Sequence, residues 1–302
     1  MQFTKKIWQN GKFIDWNKAK IHVLNHTLHY GTGAFEGLRF YNTKKGPAIW
    51  MLDQHLDRWF YSAKCIHMKM LYPKKLLKQA IIDLLKINKI KAGYIRPIAY
   101  YDYGPLRVNP VNLPVGVAIM CWPWGSYLGE EAVKLMVSPY VRIHPKSSFT
   151  DAKITGHYVN AMLAVKQAVN AGYTEALMLD YKGYVAEGSA ENIFIVKNKV
   201  LFTPPLGTIL AGITREATIK MAKDLGYKVV EKKLKLKNIE NSDECFLTGT
   251  AAEISPVGQI GKKKLKNQFG LITKHLREEF MNTVYANNKK YYKWLTFINQ
   301  TK

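Results

Sequence analysis

The stretch Trp122-Pro-Trp-Gly-Ser-Tyr127-Leu-Gly129 interrupts a chain that otherwise alternates strand-like and helix-like runs. Proline cannot donate to a sheet ladder and glycine weakens any regular element, so neither a strand nor a helix is expected to run through it. It divides the 302 residues into two parts, each long enough for its own core. We expect residues 1–121 to form an N-terminal α/β domain, 122–130 to connect the domains, and 131–302 to form a C-terminal α/β domain. The fold class is therefore α/β, with α+β character. Connections of this kind often line ligand sites.

Local patterns fill in both parts. Ile7-Trp-Gln9 and Gly11-Lys-Phe-Ile14 flank a turn and read as a hairpin. Leu52 to Cys65 spaces its apolar groups as a helix does, and Pro73 opens another helix through Leu77, Ile81 and Leu85. Gly93–Tyr103 and Val115–Trp122 read as strands. Beyond the connection, Lys134–Val141 reads as a strand and Tyr158–Ala171 as a helix. That helix is expected to bury Met162, Leu163, Val165, Ala168 and Val169 and to end at Gly172. Further strands are expected at Glu175–Asp180, Asn192–Val196 and Glu244–Thr248, a helix at Thr214–Leu225, and a helical then basic stretch from Leu271.

Charge and cysteine content exclude some classes. The formal charge of +23 comes from lysines dispersed over the whole chain, without a nucleic-acid-binding motif, so a solvated basic surface is favoured over nucleic-acid binding. No run of eighteen apolar residues is present, so no membrane span is expected. Cys65, Cys121 and Cys245 are odd in number and far apart, with no metal-ligand spacing; reduced thiols and a cytoplasmic setting follow. Only seven of the 45 basic residues are arginine, so an arginine here is a candidate for a place needing a planar, two-pronged donor, Arg39, Arg58, Arg96 and Arg215 among them.

Chemistry gathers at five places. Lys153, one of 38 lysines, follows a loop of small residues and precedes a helical run. Glu187 lies in Val185-Ala-Glu-Gly-Ser-Ala-Glu-Asn192, whose small side chains let a flat ring approach the backbone. Gly212-Ile-Thr-Arg215 opens a helix, where free amides and the Thr214 hydroxyl make a phosphate seat. Gly249-Thr-Ala-Ala252 is a second such turn, and Arg58 can add a bidentate phosphate contact. Tyr94 and Arg96 share one face of a strand and can grip a carboxylate, with Phe35, Trp124 and Tyr127 as apolar walls. An amine, a carboxylate and two anion-binding turns in that order point to covalently held pyridoxal phosphate.

These residues carry a family resemblance. His29-Tyr-Gly-Thr, Phe35-Glu-Gly-Leu-Arg39, Tyr94-Ile-Arg-Pro97, Ala152-Lys153, Glu187-Gly, Glu191-Asn-Ile-Phe194, Gly212-Ile-Thr-Arg215 and Gly249-Thr-Ala-Ala-Glu253 stand in one order over about residues 5–285. The chain resembles the branched-chain amino acid aminotransferases of bacterial type: class IV, fold type IV, with the D-amino acid aminotransferase-like fold. The resemblance implies that Lys153 carries the Schiff base and shuttles the proton, and that Glu187 pairs with the pyridine nitrogen. Tyr158 would bond the phenolic oxygen, and Arg58, Ile213, Thr214 and Thr250 would hold the phosphate. Tyr94 and the amides of Thr250 and Ala251 would take the substrate α-carboxylate, and Arg96 the side-chain carboxylate of glutamate. Phe35, Trp124, Tyr127 and Tyr158 would wall the side-chain pocket. Tyr30 and Val108 would reach in from a partner subunit, making the enzyme a homodimer or a dimer-based oligomer. The implied reaction is ping-pong transfer of the amino group of leucine, isoleucine or valine to 2-oxoglutarate. D-amino acid aminotransferases and aminodeoxychorismate lyases share the lysine and glutamate positions but are not expected to carry Tyr94-Ile-Arg-Pro97.

Overall fold

Two compact units make up the molecule, a computed structural model describing residues 3–125 and 127–298. The first comprises Met1–Gly125, Ala152–His157 and Thr283–Lys302, the second Ser126–Asp151 and Tyr158–Asn282.

The first unit runs β1 (Lys6–Gln9), β2 (Lys12–Asp15), α1 (His26–Tyr30), β3 (Gly33–Phe35), β4 (Leu38–Thr43), β5 (Gly46–Trp50), α2 (Leu52–Cys65), α3 (Lys74–Asn88), β6 (Gly93–Tyr101) and β7 (Val115–Trp122). Asn10 and Gly11 both take positive φ, 45° and 90°, which is the turn that joins a two-residue hairpin. The helix read from Leu52 to Cys65 has those same bounds and turns Leu52, Leu56, Trp59 and Ala63 inward. With Leu77, Ile81 and Leu84 of α3 they cover one face of the sheet and meet Leu38, Phe40 and Ile119 in a core of buried side chains. Pro73 stands at the N-cap of α3, where its missing N–H costs nothing.

In the second unit come β8 (Val133–Val137), α4 (Tyr158–Asn170), β9 (Glu175–Leu179), β10 (Val185–Gly188), β11 (Asn192–Lys197), β12 (Val200–Thr203), α5 (Ile213–Asp224), β13 (Val229–Glu231), α6 (Leu236–Glu240), β14 (Glu244–Gly249), β15 (Glu253–Ile260), β16 (Lys263–Lys264) and α7 (Leu271–Val284). The mixed sheet orders β10-β9-β8-β15-β14-β11-β12-β13, with β16 paired to β15. β8 lies parallel to both β9 and β15, and β12 parallel to β13.

A last strand, β17 (Leu295–Phe297), returns to the first sheet and pairs antiparallel with β5, Leu295 opposite Trp50. That sheet then reads β17-β5-β4-β6-β7-β1-β2, with β3 on β6. Ala152–His157 also belongs to the first unit. Ile154 bridges Ala34, and the Gly156 N–H donates to Gly31 O at 2.9 Å. At Gly31, with φ 65°, a Cβ would lie 2.6 Å from Gly156 Cα, so this backbone approach needs glycine. The units therefore depart from the expected ranges at these two segments, because long-range pairing rather than chain position assigns them.

Two local readings are corrected. On α4, Met162, Leu163 and Val169 are exposed; Ala164 and Ala168 are the buried residues. The two alanines meet Ala176 and Met178 of β9, and so close an approach of helix to sheet turns the larger side chains outward. The strand expected over Lys134–Val141 ends at Val137. There Ser138 Oγ accepts the Tyr140 N–H at 3.0 Å, a side-chain turn that competes with the ladder.

Candidate active site

The first unit gathers an amine, aromatic rings and Arg96. Lys153 is held by its backbone on both sides: its N–H donates to Ser62 Oγ of α2 at 2.9 Å, and its carbonyl accepts the Phe35 N–H of β3 at 3.1 Å. Its ammonium stands 5.0 Å from the centre of the Phe35 ring. The Arg96 guanidinium is 4.9 Å from that same ring and 5.5 Å from the ring of Tyr94, two residues away on β6. Trp124 packs edge-on against Tyr94 at 4.6 Å. Arg96 Nε is buried without a hydrogen-bond partner, so packing against rings sets its place more than bonding does. Gly37 explains part of this arrangement, because a Cβ there would occupy the position of the Tyr94 hydroxyl.

Beside the lysine lies a wholly buried carboxylate that sequence reasoning does not assign. Glu36 accepts from Arg58 Nε at 2.6 Å and Nη2 at 2.9 Å, and is 2.7 Å from His55 Nδ1. Burial works to raise the Glu36 carboxyl, but the charges of Arg58 and His55 outweigh it and hold the group well below the usual carboxylate range. Burial also holds the His55 imidazole below its usual range, against the pull of Glu36. Arg58, expected at a phosphate, thus has two of its nitrogens on Glu36.

The second unit carries the acid and the anion seats. Glu187 lies buried on β10, where the register with β9 shifts between Val185 and Glu187. Its carboxylate accepts from Arg142 Nε at 2.6 Å, Asn192 Nδ2 at 3.0 Å and the Leu210 N–H at 3.1 Å. No motif singles out Arg142; the rarity of arginine in a lysine-rich chain is the signal that could have found it. Arg215 is instead structural, its Nη2 bonded to Pro204 O and Glu231 Oε2.

At the start of α5, Ile213 and Thr214 are buried and the first helical bond is Glu216 N–H to Gly212 O. The amides before it have no partner within the helix. Thr214 Oγ1 is buried without a hydrogen-bond partner, an unusual cost in a well-packed core. A hydroxyl and helix-start amides at one spot fit the phosphate of pyridoxal phosphate. Thr250 and Ala251, both half-buried, lie in the turn between β14 and β15, and Tyr158 is the first residue of α4. Tyr127 is exposed, and so are Tyr30 and Val108, at 39% and 77%.

Similarity to known proteins agrees with this chemistry. The family model of class IV amino-transferases matches residues 33–260. The branched-chain-amino-acid aminotransferase of Pseudomonas aeruginosa is 39% identical over 97% of both chains. That of Escherichia coli K12 is 39% identical over 98% of this chain and 99% of its own. The crystal structure of the branched-chain aminotransferase of the thermophilic archaeon Thermoproteus uzoniensis with norvaline superposes with a TM-score of 0.95. The two are 39% identical, over 98% of this chain and 99% of the other.

Proposed function

The chain belongs to the class IV aminotransferases, within the branched-chain aminotransferases, and from that premise we propose that it transfers the amino group of leucine, isoleucine or valine to 2-oxoglutarate. Pyridoxal 5'-phosphate is its resident cofactor; when bound it supplies an electrophilic carbon for the amine and a π system that takes up the charge left by the α-proton. Lys153 holds the cofactor through its ε-amine and, once released, carries the proton to and from the substrate α-carbon. Glu187 meets the pyridine nitrogen, kept as an oriented carboxylate by Arg142, Asn192 and the Leu210 amide. Thr214, Ile213, Thr250 and Arg58 take the phosphate, and Tyr158 the phenolic oxygen. Tyr94 and the Thr250 and Ala251 amides take the substrate α-carboxylate.

A ping-pong cycle needs one site to accept an apolar side chain and then an acidic one. The observation that carries the reading is the packing of Lys153, Phe35, Tyr94 and Arg96 around one another. Aromatic walls suit the branched chain. Arg96, held by those walls without a bond at Nε, suits the distal carboxylate of glutamate. Trp124 and Tyr127 extend the wall.

A dimer is part of the proposal, with Tyr30 and Val108 completing the partner's site. Both lie in exposed apolar segments that Asn25 Nδ2 to Asp102 Oδ1 (2.9 Å) and His26 Nε2 to Arg107 O (2.8 Å) bring together. A reducing, cytoplasmic setting goes with three free cysteines, and no helix among the described residues is long and apolar enough to cross a membrane.

Purified protein should be yellow, bleach with borohydride, and be colourless as Lys153→Ala. With 2-oxoglutarate as acceptor, L-leucine and L-valine should far exceed D-alanine as donors. A protein that stays colourless with added cofactor, or that prefers D-alanine, would refute the reading.

A further inference from the structure

Nε and Nη2 of the Arg58 guanidinium both donate to one carboxylate, in the two-pronged geometry that fixes the guanidinium plane. That carboxylate, Glu36, has no exposed surface, and neither does His55, which lies at 2.7 Å on its other flank. The Gly37 N–H adds a bond to Glu36 Oε2 at 3.2 Å. Four residues beyond Arg58 on α2, the Ser62 hydroxyl donates to Arg58 O at 2.8 Å while accepting the Lys153 N–H at 2.9 Å. One short network thus sets both the arginine side chain and the lysine backbone. A buried ion pair is a weak way to stabilise a fold, since apolar side chains of the same volume do as well. The cluster therefore calls for a reason beyond stability.

We propose that Glu36, oriented by His55, is a positioning residue: it holds the Arg58 guanidinium in the plane from which it bonds the cofactor's phosphate. The proposal rests on the reading that this chain binds pyridoxal phosphate and that Arg58 meets its phosphate. Glu36 touches neither cofactor nor substrate and acts through Arg58 alone. Its loss therefore affects recognition of the phosphate and leaves recognition of the ring unchanged.

The test compares cofactor-free wild type, Glu36→Gln, Glu36→Asp, Arg58→Met and the double variant Glu36→Gln with Arg58→Met. Each is titrated with pyridoxal phosphate and with pyridoxal, which lacks the phosphate, and folding is checked by circular dichroism. Glu36→Gln should weaken pyridoxal phosphate by roughly 10- to 100-fold, by analogy with the loss when the hydrogen-bond partner of a metal ligand is removed. Pyridoxal binding should stay unchanged, and Glu36→Gln should add no further loss in the Arg58→Met background. Glu36→Asp keeps the charge but withdraws the carboxylate by one methylene, and decides the matter if Glu36→Gln does not fold. Its expected signature is the same phosphate-selective loss. Equal losses for both ligands, or wild-type affinity in the folded variants, would overturn the positioning role. Wild-type binding by Arg58→Met would overturn it too, by removing Arg58 from the phosphate. Failure of the wild-type protein to take up pyridoxal phosphate at all would overturn the underlying functional reading instead.

Discussion

Protons reach Glu36 and His55 at a cost that depends on what surrounds them. Burial first, and then Arg58 and Lys153, keep the His55 imidazole below its ordinary value of 6.5. As pH falls past 6.5, the unfolded chain therefore binds a proton that the folded one refuses, and stability drops from there downward. Glu36 is depressed below its ordinary 4.5, so its contribution is complete above that pH and is lost as pH falls further towards its folded value. While Glu175, whose carboxyl burial raises, acts in the opposite sense, these two groups give the acid limb two onsets, each approaching about 1.4 kcal/mol per pH unit for one proton. Urea midpoints from pH 7.5 to 3.5 measure it, and His55→Gln should remove the upper onset. A wild-type midpoint that is flat down to pH 5 would exclude this. Neither residue has a role legible in the sequence, although Glu36 lies within Phe35-Glu-Gly-Leu-Arg39, because their weight comes from α2 meeting the loop after β3. Lys153, Glu187 and Thr214 do stand out, because each sits in a short run whose small residues announce a close approach. Arg142, 45 positions before Glu187 in the chain, has no such local mark.

Helices with a clear apolar stripe can be read directly even without a side-chain cap, and α2 is the clearest case. Where alanine and larger apolar residues share a helix, periodicity shows a stripe but not which one faces the sheet, and α4 departs from its expected burial for that reason. Strands whose partners are far away in sequence are hardest. β17 looks like part of a basic tail, since Lys289, Lys290 and Lys293 precede it, yet it edges the first sheet. The preceding turn stacks Tyr291 on Trp294 at 4.5 Å, and Trp294 meets Trp50 edge-on at 5.6 Å. Each buried aromatic or leucine contributes about 1.5–3 kcal/mol. Ending the chain at Asn288 removes Tyr291, Trp294 and Leu295 and uncovers Trp50, so the melting temperature should fall sharply and the protein should tend to aggregate. Differential scanning calorimetry of the truncated chain tests this; a melt unchanged from the full chain would show that β17 adds nothing to the sheet.

A charge of +23 on one chain sets two association behaviours against each other. Nucleic acid held by a basic face is released as salt rises, because phosphate contacts depend on displaced counterions. Two copies of this chain meeting through an apolar face should respond in the opposite way. Like charges repel across the pair, salt screens that repulsion within about 10 Å at 0.1 M, and burial of apolar surface does not weaken. The face proposed for the dimer has the needed character. Ile21, Val23, Leu24 and Leu28 are exposed on one segment and Tyr103, Leu106, Val108 and Val111 on the other. Beside them a recess of about 560 Å³, lined by Ile7, Gln9, Ile21, Leu28, Ile98 and Tyr100, gives the surface relief. So much exposed apolar surface is unusual for a chain that works alone. Sedimentation at 20 mM and 500 mM salt should therefore show a dimer that tightens with salt. Val108→Asp places a carboxylate in that face and should shift the protein towards monomer and lower its activity, while the monomer keeps the yellow colour that depends on Lys153. A Val108→Asp protein that stays dimeric and fully active would remove Val108 from the partner's site, and dissociation at high salt would remove the apolar face as the basis of assembly.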